Sequence, residues 1–192
     1  MISNSNHLLM SPSERVAYAC ESVRTHPEVL KDLCTRLNFE PLLLKATDKE
    51  GRAIYHTNVF MSITTKLCVI CLEALEAEDR QQVVDRMEKS GRKVVNISQQ
   101  QVQSLAGNCY EVIGEDGNPK LIISTRFAIF TLFPPNVDNI FHRAWSSLRP
   151  DQKKDLEGSA DIVQCKVDTI EKVGGGGIRC MLAGIFAERK RK

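Results

Sequence analysis

Short apolar runs alternate along the chain with longer segments in which apolar residues recur at helical spacing, and this pattern predicts a mixed α/β protein. Residues 15–20 read as a strand, and 27–37 as a helix with its apolar stripe at Val29, Leu30, Leu33 and Leu37 behind Thr25 as N-cap. Residues 41–46 form a second predicted strand. Turn chemistry at 47–52 leads into a third, 53–63, which carries Tyr55-His56-Thr57-Asn58. Residues 67–72 predict the next strand, and 77–89 an amphipathic helix with Val83, Val84 and Met87 on one face. After it come a β-branched strand at 94–97 and a helix at 99–105 capped by Ser98. Segments 109–113 and 121–124 flank Asp116-Gly117-Asn118-Pro119 as a hairpin. A helix over 150–156, a strand over 162–167 and a closing helix over 180–189 complete the reading, so the recurring unit is strand, strand, helix, strand.

One segment breaks the rhythm. Residues 127–145 hold four of the seven phenylalanines, the only tryptophan and Pro134-Pro135, with neither alternation nor a sustained helical stripe. They read as an irregular aromatic insertion in a single domain spanning 1–192, packed locally or serving as a contact surface.

Composition narrows the class. The chain is 42% hydrophobic and 26% charged, with 26 basic and 24 acidic side chains, which is the balance of a globular protein with no electrostatic call for nucleic acid. The basic run Arg189-Lys190-Arg191-Lys192 reads as a solvated end. No apolar stretch has membrane-spanning length, and the N-terminus lacks a secretion signal, so the expected location is cytoplasmic, away from membranes. Seven cysteines at irregular spacing fit a reducing compartment. Cys68 and Cys71 sit inside a continuous apolar run with no second pair at zinc spacing, so they read as core thiols, and neither metal nor cofactor is expected.

The chemistry concentrates in Gly174-Gly175-Gly176-Gly177-Ile178-Arg179-Cys180. Four successive glycines cost more conformational entropy than other residues, so a folded chain keeps them where the backbone takes positive φ or passes very close to a neighbour. They lead to a cysteine that opens a helix-forming stretch beside Arg179. A helix N-terminus and a guanidinium both favour thiolate over thiol, which describes an activated nucleophile. The plainer alternative is a flexible linker with an incidental cysteine. His56 and Asn58 share one face if 53–63 is a strand, which would put a proton-transferring imidazole beside an amide. The alternative there is a structural histidine.

These residues carry a resemblance. Gly-Gly-Gly-Gly-x-Arg-Cys-Met, preceded by Tyr55-His56-Thr57-Asn58 and Leu105-Ala106-Gly107-Asn108, resembles the guanidine-modifying superfamily of arginine deiminases, amidinotransferases and dimethylarginine hydrolases. Residues 54–59 with 69–74 are similar to its citrulline-utilising branch. The resemblance implies a pentein-like fan of ββαβ modules, here an N-terminally shortened, partial β/α propeller with about three of five. It implies covalent thiol catalysis on an arginine- or citrulline-like small molecule: Cys180 attacks the guanidino or ureido carbon, and His56 protonates the departing amine and then activates water. Asn58 stands where arginine deiminases carry a substrate-binding aspartate, and an amide suits a neutral urea better than a cation. Gly107, Asn108 and Arg179 become candidates for the substrate-binding wall, with a helix-ending turn as the plain reading of Gly107-Asn108.

The pattern departs from the family in two places. Where relatives carry a glutamate in the strand before 15–20, this chain has Ser3-Asn4-Ser5-Asn6-His7, and Gly184 replaces the glutamate after Met-x-Ala. Three readings follow: a cysteine hydrolase or amidinotransferase-like enzyme, a catalytically inactive remnant serving as a binding module, and a thiol redox protein using Cys180 alone. An open fan would also expose faces that an oligomer could cover.

Overall fold

The computed structural model describes residues 8–125 and 144–183. The first seven residues, the insertion through residue 143 and the chain from Gly184 onward lie outside them. The readings placed on Ser3 to His7, on Gly184, on the basic C-terminal run and on most of the aromatic segment therefore fall beyond the described structure.

Three successive ββαβ modules make up the body. The first is β1 (Leu8–Ser11), β2 (Val16–Cys20), α1 (Pro27–Leu37) and β3 (Glu40–Leu44). Ahead of the second comes the single turn α2 (Thr57–Phe60), followed by β4 (Met61–Ile63), β5 (Leu67–Ile70), α3 (Ala77–Lys89) and β6 (Lys93–Asn96). The short α4 (Gln99–Gln103) leads to the third, which comprises β7 (Tyr110–Ile113), β8 (Pro119–Ser124), α5 (Ala144–Ser147), α6 (Pro150–Glu157) and β9 (Asp161–Cys165). Last come α7 (Asp168–Gly174) and a 3-10 turn over Ile178–Met181. Each module has its own three-stranded sheet in sequence order, its first two strands antiparallel and its last two parallel across the helical crossover. Tyr18 pairs with Leu42, Val69 with Val95 and Ile122 with Val163 in these parallel ladders. The fold class is thus a partial β/α propeller.

One apolar core runs through all three modules. It includes Tyr18 and Leu44 from the first, Met61, Ile70 and Met87 from the second, and Leu121, Ile123 and Leu156 from the third. A fully buried side chain of this size contributes about 1.5–3 kcal/mol, so the seams between modules are held mainly by apolar burial. Polar pins fix their register. Arg92 donates to Thr64 O at 2.8 Å, Ser13 Oγ at 2.9 Å and Glu14 at 2.9 Å, tying the β1–β2 turn to the second module, and Tyr18 Oη donates to the same carboxylate at 3.2 Å. Lys93 pairs with Asp155 of α6 at 2.6 Å across the next seam.

Cys68 and Cys71 are buried and free, as a core-thiol reading requires. Burial pushes the Cys71 thiol up to about 11 and the Cys68 thiol further up. Among the described residues no helix is long and apolar enough to cross a membrane.

The structure corrects several sequence expectations. Residues 53–63 are not one strand: Thr57–Phe60 form a helical turn, because Thr57 Oγ1 accepts from the Cys20 amide at 2.8 Å and draws this segment onto the end of β2. His26, not Thr25, caps α1, its ring accepting from the Glu28 amide. The strand that precedes Val16–Cys20 is Leu8–Ser11. Residues 166–167 lie outside β9, and α7 follows, which the sequence reading had not placed. The stripe of α1 is also rotated. Leu30 and Cys34 pack on Leu8, Met10, Ala17 and Ala19, whereas Val29 is 67% exposed and Leu33 37%.

Candidate active site

The glycine run has one job per position once its backbone is traced. Gly174 ends α7, and Gly175 takes the left-handed φ of 69° that terminates it. Gly176 lies where a Cβ would press on the Cys180 side chain, 3.1 Å from its Cβ. A Cβ on Gly177 would stand 2.9 Å from Asn108 Cγ, inside the limit of real contacts. The chain therefore turns, passes tightly against Asn108, and enters the 3-10 turn that carries Cys180. The linker reading does not fit this packing. Cys180 is the third residue of that turn, its amide bonded to Gly177 O at 3.0 Å, so the sulfur does not sit at the start of an α-helix.

What meets the half-buried sulfur is a pair of side-chain amides. Asn58 Nδ2 and Asn108 Nδ2 each lie 3.3 Å from Cys180 Sγ. Both asparagines are buried. Asn108 is also a junction: its Nδ2 donates to Asn58 O at 2.8 Å, and its Oδ1 accepts the Arg179 amide at 2.9 Å. Asn58 precedes the first strand of the second module and Asn108 the first strand of the third, so one end of two neighbouring modules converges on the sulfur. Each amide thus aims an N–H donor at the sulfur.

Gly107 lets the modules come together this closely. A Cβ there would lie 2.8 Å from Val59 O and 2.9 Å from Phe60 C, and its own carbonyl accepts from Ser62 Oγ at 2.6 Å. Arg179 joins through its backbone, while its guanidinium turns aside, stacks 5.0 Å over the Tyr110 ring and reaches Cys109 O at 3.4 Å. Burial lowers the pKa of that guanidinium.

His56 is the residue before α2, with extended backbone, two positions from Asn58. The two do not alternate on a strand face as expected. Instead His56 immediately precedes the helical turn that contains Asn58. Arg24 Nη1 lies 3.4 Å from His56 Nε2, and its guanidinium stands 5.1 Å over the Tyr55 ring. Sequence reasoning missed Arg24, which sits in a polar loop without periodicity, and it missed that Asn108 holds the sulfur. The recurrence of Asn before the first strand of two modules was the available signal. Among the described residues no group of three His, Cys, Asp or Glu side chains could hold a metal ion.

Comparison with known proteins follows the same lines. The structure is similar to the N-terminal domain of ArgZ bound to product, an arginine dihydrolase from the ornithine-ammonia cycle in Cyanobacteria, with a TM-score of 0.66 at 15% identity over 95% of this chain and 55% of that one. It is similar to AgrE in ternary complex with ornithine and NAD+, with a TM-score of 0.67 at 15% identity over 97% of this chain and 23% of that one. A dimethylarginine dimethylaminohydrolase adduct with 4-chloro-2-hydroxymethylpyridine gives 0.54 at 12% identity over 93% and 56%. At such identities the likeness is one of fold alone, that of a pentein-type propeller. Residues 2–187 match the family described as N,N dimethylarginine dimethylhydrolase, eukaryotic, and the chain belongs to that family. No curated protein matches it. The chain spans about half the length of the ArgZ N-terminal domain.

Proposed function

We propose that the protein is a cysteine-dependent hydrolase acting on the guanidino or ureido carbon of an arginine- or citrulline-like amino acid. The observation that carries this reading is the convergence of two buried amide donors on Cys180 Sγ, one of them from Asn58 in the short turn that His56 precedes. In this scheme the Cys180 thiolate attacks the planar carbon and forms an S–C bond. His56 gives a proton to the departing nitrogen as the C–N bond breaks, then takes one from the water that cleaves the thioester-like S–C bond. Asn58 and Asn108 hold the sulfur, and Asn58 also offers an amide to a neutral ureido group. Arg24, exposed beside His56, suits the carboxylate of an amino acid. Family membership supports the substrate class.

The test is incubation with L-arginine, L-citrulline and Nω-methylated arginines, read by intact mass and by release of ammonia or methylamine. A Cys180 adduct with product release that vanishes in Cys180→Ser is expected. Neither adduct nor product, while Cys180 still alkylates, would point to a binding or redox role and overturn the enzymatic reading.

A further inference from the structure

Arg179 adjoins Cys180 in sequence, yet its guanidinium turns into a different space. It lines a cavity of about 490 Å³ walled by the β1–β2 turn, the β4–β5 turn, Arg92 and the start of β7. Asn58 precedes β4, whereas the cavity lies past the other end of that strand, at Thr64 and Thr65, so the residues that hold the sulfur are not on its wall. The two spaces are separate. A volume within the range of ~300–1,000 Å³ is that of a small-molecule pocket.

Two guanidiniums border this cavity under opposite conditions. Arg92 is saturated: it donates to Thr64 O and Ser90 Oγ at 2.8 Å and to Ser13 Oγ and the Glu14 carboxylate at 2.9 Å. Arg179 is not. It is 5% exposed, and among the described residues its guanidinium makes one hydrogen bond, the long one of 3.4 Å to Cys109 O, while its face lies over the Tyr110 ring. The carboxylate on the same wall, Glu111, is engaged elsewhere, accepting from the Thr65 amide at 2.8 Å and from the Thr65 hydroxyl.

A charge removed from water is costly unless an opposite charge or a full set of acceptors meets it. Stacking satisfies the face of a guanidinium and leaves its edge of N–H donors open. That edge matches a carboxylate, which it receives through two parallel hydrogen bonds. Glu111 adds a negative charge to the wall, which opposes a doubly charged phosphate more than a singly charged carboxylate. Met10 and Ile63 supply apolar surface for a carbon skeleton.

We infer that this cavity is a binding site for a small organic carboxylate, anchored by the Arg179 guanidinium and separate from the site at Cys180. The inference holds whether or not the protein turns over a guanidino compound.

Arginine side-chain 15Nε NMR tests it, with native protein titrated with acetate, butyrate and inorganic phosphate against sodium chloride at matched ionic strength. The Arg179 signal is assigned by its loss in Arg179→Lys. Acetate and butyrate should shift that signal saturably and at lower concentration than phosphate, and chloride should leave it in place. The acids should also raise the native Tm. In Arg179→Gln, checked for folding by circular dichroism, that gain should vanish, and in Arg179→Lys, which keeps the charge without the fork, it should need about tenfold more acid. Absence of a saturable shift at Arg179 overturns the inference, as does a folded Arg179→Gln protein that keeps the native gain. Phosphate binding as tightly as the two acids overturns the assigned ligand class. If Arg179→Gln does not fold, the native titration decides alone.

Discussion

Replacing Asn108 with alanine removes one side chain and strands three partners. Asn58 O loses its 2.8 Å donor, the Arg179 amide loses its 2.9 Å acceptor, and Cys180 Sγ loses one of its two amide contacts. Asn108 is 1% exposed, so water does not readily replace what is lost. A buried polar group left without its partner costs about 1–3 kcal/mol, and two such backbone groups put the expected destabilisation at about 2–5 kcal/mol. For a chain of this length that lowers Tm by about 5–15 °C. The sulfur should respond as well. Losing one of its two amide contacts, worth about 1 kcal/mol, should change the Cys180 alkylation rate by up to about fivefold. Peptide-level mass spectrometry after iodoacetamide reads this directly, with half-buried Cys165 as an internal control for general loosening. Unchanged melting together with an unchanged Cys180 to Cys165 labelling ratio in Asn108→Ala would refute the idea that this side chain holds the Cys180 sulfur.

Three further outcomes can be checked independently. Gly177→Ala drives a methyl into Asn108 Cγ at 2.9 Å and should reproduce the labelling defect, and combining it with Asn108→Ala should cost clearly less than the sum because both act on one contact. Arg92→Leu leaves the Glu14 carboxylate, only 13% exposed, without its ion pair, and chemical denaturation should register a loss of about 3–5 kcal/mol; a loss below about 1 kcal/mol would mean that the pin between the first two modules is not under load. Burial raises Cys20 and Cys71 from an ordinary value of 9.0 to about 11, so the folded state keeps these protons to higher pH than the unfolded chain does. Stability should be complete below pH 9 and fall by about 2–3 kcal/mol per thiol as pH rises towards 11, with Cys71→Ala flattening its share of the slope in denaturant titrations.

The repeated ββαβ unit was legible because its signals are local. Residues 77–89 carry a complete amphipathic helix, Ser98 a capping box with Gln101, and Asp116-Gly117-Asn118-Pro119 a turn with Gly117 at φ 78°. The segment around His56 was not legible because a distant contact decides it: Thr57 abandons β geometry for a bond to Cys20, 37 residues away, and β propensity yields to that tertiary partner. Strand β1 escaped notice because four residues carry too little periodicity to register. At the site, the tetraglycine and Cys180 stood out by composition. The grip on the sulfur did not, since no local pattern distinguishes an asparagine that ends a turn from one that spans a seam. The tetraglycine was read correctly in its demand for close approach, and only the structure names Asn108 as what is approached.

Cys180 is gripped by residues from the thresholds of two different modules, and this makes the thiol a gauge of the whole assembly. Slippage of the second module against the third by a fraction of an ångström separates Asn58 from Asn108 before any sheet comes apart. Chemical reactivity at one atom should therefore change ahead of spectroscopic unfolding, and variants that merely loosen the wedge between blades would show altered thiol labelling while still well folded.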